Sequence, residues 1–157
     1  MDIKELKPTS IWHYFDAITG VPRPSKKEER IREFLLNFAK EQNLEVKVDK
    51  TGNVVITKEA TPGCEGAPTV ILQAHMDMVC EKNGDVKHDF ERDPIETYID
   101  GEWVKARGTT LGADNGIGMA AAMAVLADKE LKHGRIQALF TVCLLYTSDA
   151  ADDLIGV

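Results

Sequence analysis

His75 and Asp77 stand two residues apart in the apolar stretch from Thr69 to Cys80. Side chains of an extended strand alternate faces, so Gln73, His75 and Asp77 share one face, and Leu72, Ala74, Met76 and Met78 take the other. The polar groups therefore gather at the strand's C-terminal end, where open α/β sheets bind ligands. An imidazole can give one nitrogen to a metal while a carboxylate takes its other N–H, and His75 with Asp77 suits that chemistry. The same pair also suits a core histidine held by an aspartate. The tripeptide alone leaves both readings open.

A second group is the Gly- and Thr-rich segment from Gly108 to Gly118, with Asp114 near its centre. Asp114 precedes an Ala- and Met-rich stretch of helix formers, so its carboxylate can cap that helix by accepting backbone N–H groups, or it can serve as a ligand. Gly112, Gly116 and Gly118 exceed what a cap requires and imply unusual backbone angles or close approach to a bound group. Phosphate is one candidate, because the run from Gly116 to Ala121 matches a dinucleotide fingerprint with Ala last. The acidic residue expected at the end of the next strand is missing, since 135–142 contains none. The remaining histidines, His13, His88 and His133, read as solvated, and Cys80 as a small buried hydrophobe with no base fixed beside it.

These residues need elements to position them. Ile11, Trp12, Phe15 and Ile18 recur at helical spacing up to Gly20 and the break at Pro22 and Pro24. The run from Ser25 to Glu28 has the form of a capping box ahead of a second stripe, Ile31, Phe34, Leu35 and Phe38. Residues 44–48 alternate, 51–53 turn and 54–56 run on, which predicts a hairpin; Ile95 to Ala106 around Asp100-Gly101 predicts another. The stretch 69–80 is too apolar for an exposed strand and reads as a central one, and 135–142 returns as a further strand. Helices alternating with strands give an α/β domain with a mixed sheet.

Composition sets the outer bounds. The chain has 157 residues with 19 basic and 26 acidic side chains, a net charge of −7. That charge repels nucleic acid, and no cluster of Lys and Arg offsets it. No apolar run is long enough to cross a membrane and the N-terminus lacks a signal-peptide pattern, so the expectation is a cytoplasmic protein. Cys64, Cys80 and Cys143 form no Cys-x-x-Cys pair, which leaves any metal to His and carboxylates. From Cys143 to Val157 the apolar run is prolonged, then turns small and acidic at Asp149, Asp152 and Asp153 without helix stripe or turn signal. This segment resembles translated sequencing adapter, so 1–142 reads as the domain portion and 143–157 as a non-native tail.

Together, the segment from His75 to Val79 and that from Leu111 to Gly118 resemble the co-catalytic zinc peptidases, within them the aminoacyl-histidine dipeptidases. The likeness runs from about residue 6 to 142 and takes in 11–15, 22–25 and 79–83. It implies the N-terminal part of a mixed-sheet catalytic domain that hydrolyses Xaa-His and other dipeptides. It also implies that His75 is a ligand of one of two Zn2+ ions, Asp114 the carboxylate bridging both, and Asp77 the residue that orients His75. The family continues after such a strand with an acidic residue and two glutamates, a general base and a zinc ligand, where this chain has Cys143, Leu144 and Leu145. The lid domain that carries the family's homodimer contact is missing too, so this chain is expected to be inactive. The competing reading is a non-catalytic fragment, or a small nucleotide- or metal-binding module using the Gly112–Gly118 loop.

Overall fold

The computed structural model describes residues 2–142. The expectation of a non-native tail at 143–157 falls outside them. After a short 3-10 turn at Ile3–Glu5, two helices follow, α1 (Thr9–Thr19) and α2 (Glu29–Glu41). Then come β1 (Glu45–Val48), β2 (Val54–Lys58), β3 (Val70–His75), the small hairpin of β4 (Thr97–Asp100) and β5 (Trp103–Ala106), α3 (Ala113–Ala127) and β6 (Ile136–Thr141). The larger sheet has the order β1-β2-β6-β3. β3 and β6 run parallel, with Ala74 opposite Phe140 and His75 opposite Thr141, while the other pairings are antiparallel. The mixed sheet and both hairpins are as the sequence predicts.

The parallel pair needs a crossover, and α3 supplies it. Its small and flexible side chains let it pack closely: Met119, Ala120, Ala122, Met123 and Leu126 are buried with Phe15 and Ile18 of α1 and Phe140 of β6. α2 adds Ile31, Leu35 and Phe38 to the same core. β6, flanked by β2 and β3, is buried along its whole length.

Three expectations need correction. β3 is not central: among the described residues it pairs only with β6, and Val70 and Ile71 lie 51% and 41% exposed. The apolar run signals burial on two faces but cannot say how many neighbours a strand has. The capping box is also wrong. Ser25 makes no helix cap, because its hydroxyl donates to Asp77, and Glu28 instead accepts the N–H of Lys26 at 2.6 Å. Finally, His133 is not solvated; it is buried, with its Nδ1 2.7 Å from the carbonyl of Gly134.

Candidate metal centre

His75 ends β3, and the chain then leaves the sheet, with Met76 still donating its N–H to Thr141 O at 2.7 Å. Ala74 and Met76 go into the core, so His75 faces the opposite side. Asp77 lies just beyond the strand yet reaches back: its Oδ1 is 3.0 Å from His75 Nδ1. Its other oxygen, Oδ2, accepts the Ser25 hydroxyl at 2.6 Å. A parallel bridge of Pro24 with Met78 brings the 22–25 segment alongside. Ser25, Asp77 and His75 thus form a chain of hydrogen bonds that fixes the imidazole from behind and leaves Nε2 outward.

Asp114 meets that nitrogen. Its Oδ1 lies 3.0 Å from His75 Nε2, on a side chain that is 95% exposed, whereas those of His75 and Asp77 are 12% and 11% exposed. The local backbone explains the placement. Gly112 has φ +71°, a left-handed conformation that glycine adopts at no steric cost, and Asp114 and Asn115, joined by a cis peptide bond, have non-helical angles before the regular turns of α3 begin. The helix cap is Asn115, whose Oδ1 accepts the N–H of Gly118 at 3.1 Å. Asp114, read from sequence as cap or ligand, is therefore free of the cap.

The close approach inferred from the glycines is real, but the neighbours are the protein's own groups. A Cβ at Gly118 would come 2.1 Å from Asn115 Oδ1, and one at Gly116 3.1 Å from the Phe15 ring. The space a side chain would take at these two positions is filled by Asn115, Phe15 and Arg23.

Sequence reasoning missed Arg23 and the role of Ser25. Arg23 is 1% exposed and donates to the carbonyls of Met76, Asp77 and Gly112. Burial lowers its pKa to about 10 against the opposing effect of Asp77. No local signal marks it, because its acceptors lie 53, 54 and 89 positions away along the chain. The 79–83 loop is held against the Gly- and Thr-rich segment: Thr110 Oγ1 donates to Val79 O at 2.7 Å, and Asn83 N to Gly108 O at 2.9 Å. Cys80 is partly buried, and that burial pushes its thiol pKa up.

The fold is shared with a dinuclear metal-binding peptidase from Bacillus subtilis at a TM-score of 0.50 and 16% identity, covering 84% of this chain and 34% of that one. More specifically, the chain is 50% identical over 155 residues to the cytosol non-specific dipeptidase of Escherichia coli. The structure of aminoacylhistidine dipeptidase from Vibrio alginolyticus superposes with a TM-score of 0.90 at 54% identity over 94% of this chain. The resemblance stated from the two motifs is thus borne out. The chain spans 32% of the Escherichia coli protein and 30% of the Vibrio alginolyticus chain. No family model matches it.

Proposed function

We propose that this chain forms the N-terminal part of the catalytic domain of a cytoplasmic metallodipeptidase, in which His75 and Asp114 hold metal and Asp77 orients His75. The observation that carries the reading is the approach of Asp114 Oδ1 to His75 Nε2 at 3.0 Å, with Asp77 fixing the opposite face of the ring. An imidazole nitrogen and carboxylate oxygens are the donors that Zn2+ accepts, so the residues fit in kind. They do not fit in number. Among the described residues no group of three or more His, Cys, Asp or Glu is placed to hold a metal, and a catalytic zinc needs three protein ligands.

When bound, a metal pair would polarise the scissile carbonyl and make water acidic enough to attack it. The residues of this chain do the positioning. Asp77 accepts from Nδ1 and so keeps the lone pair of His75 on Nε2, the atom that faces Asp114. Asp114 has no other side-chain partner among the described residues, which leaves its second oxygen open for a shared ligand role. On this reading the substrate is a dipeptide; the chain spans about a third of its relatives' length, and we assign the homodimer contact and the remaining ligands to the rest.

The 157-residue chain should therefore bind Zn2+ weakly and show no dipeptidase activity, since a missing general base alone costs about 10²- to 10⁴-fold in rate. Calorimetric titration with Zn2+ and hydrolysis of β-alanyl-histidine and glycyl-leucine test this, on this chain and on a version extended with the genomic sequence that follows codon 142. Turnover in the extended version alone is the expected result. Stoichiometric binding of two zincs with turnover by the present chain would refute it and move the missing roles to Asp149, Asp152 or Asp153.

A further inference from the structure

Arg23 is an unusual side chain to place in a core, and its contacts are not those of a simple ion pair. Nη1 donates to Met76 O at 3.0 Å and to Asp77 O at 3.2 Å, both in the segment that carries His75 and Asp77. Nη2 donates to the carbonyl of Gly112, two residues ahead of Asp114. One rigid guanidinium fork thus grips the backbone on both sides of the His75 and Asp114 pair. The glycines make room for it: a Cβ at Gly112 would lie 2.5 Å from Nη2, and one at Gly116 2.8 Å. The path through Asp77 is reinforced from the same strand-like segment, because Ser25 holds the Asp77 carboxylate and Arg23 O accepts the N–H of Met78 at 3.0 Å.

We propose that Arg23 is a positioning residue that fixes the separation of His75 and Asp114, by tying the segment after β3 to the loop before α3. The assignment rests on reading His75 and Asp114 as metal ligands, but its geometric content does not require a metal. Lysine cannot replace arginine here, since a single Nζ lacks the fork that spans both segments. Alanine at Gly116 is the complementary change: it leaves Arg23 in place and crowds a methyl group against Nη2.

The test uses the 157-residue chain as wild type, Arg23→Lys and Gly116→Ala. Three measurements are made: circular dichroism melting, a long-range proton–nitrogen spectrum of the imidazoles without metal, and calorimetric titration with Zn2+. Both folded variants should move the ring resonances of His75 while those of His13, His88 and His133 stay in place. A folded Arg23→Lys with wild-type His75 resonances overturns the proposal; should that variant not fold, unmoved His75 resonances in Gly116→Ala do so. Failure of the wild type to take up any Zn2+ counts against the ligand reading instead, and the metal-free spectra still decide the role of Arg23.

Discussion

Two adjacent side chains, Asp114 and Asn115, should behave oppositely when truncated, and the difference separates a ligand from a helix cap. Asn115 Oδ1 accepts the N–H of Gly118 at 3.1 Å, so Asn115→Ala removes the cap of α3. Loss of a cap costs about 1 kcal/mol, within a range of about 0.5–2. For a chain of this size that lowers the melting temperature by about 2–4 °C. Among the described residues the Asp114 side chain meets only His75, and it is 95% exposed. Exposed substitutions of that kind change stability by less than about 0.5 kcal/mol. Asp114→Ala should therefore melt within about 2 °C of wild type and lose what zinc affinity the chain has, while Asn115→Ala should melt earlier and keep it. Circular dichroism melts paired with zinc calorimetry check both variants. An Asp114→Ala protein that melts as early as Asn115→Ala and binds zinc as well as wild type would refute the reasoning and restore the cap.

Asp77→Ala behaves differently again, because Asp77 is buried and accepts from both Ser25 and His75. The His75 and Ser25 donors keep the carbonyls of Asp77 and Met78 as second acceptors, so the expected cost is that of losing hydrogen bonds to a charged group, about 1.5–3 kcal/mol in urea denaturation, and a loss below about 0.5 would contradict the buried hydrogen-bond chain. Phe140→Ala empties the space between sheet and helices, where Phe140 has no exposure, and should cost about 3–5 kcal/mol by the same method. Cys80, its thiol pKa raised by burial, should react with iodoacetamide at pH 7.5 more slowly than a free peptide thiol. Equal or faster alkylation would argue for an activated cysteine.

Much of this architecture was legible in the sequence because its signals are local. The period of Ile11, Phe15 and Ile18, the turn at Gly52 and the Asp100-Gly101 pair each carry their own geometry, and the structure places α1 and both hairpins there. The pairing of His75 with Asp77 was equally local. What could not be read was the partner of a side chain far along the chain. Ser25 has the form of a cap, but its hydroxyl finds a carboxylate 52 positions away, and Glu28 turns to a nearer donor. The helix cap likewise passed from Asp114 to Asn115 because the backbone before α3 departs from helical angles, which composition does not reveal.

The misplacement of β3 has the same origin and bears directly on the site. Its run of Val70, Ile71 and Leu72 reads as a buried strand, and within the described residues its outer edge is bare and two of those side chains are exposed. Exposed edges of apolar strands invite pairing, and proteins ordinarily blunt them with charge, proline or a bulge. None of these stands in Val70–His75. The side chains chosen along β3 are those of a strand that expects a second neighbour, and the residue at its end, His75, is one of two candidate ligands where a catalytic metal needs at least three. Among the described residues, β3 has one neighbour and the site two candidate ligands. The extended version is therefore the protein in which to measure activity, and the present chain the one in which to measure how Arg23, Ser25 and Asp77 hold His75 in place.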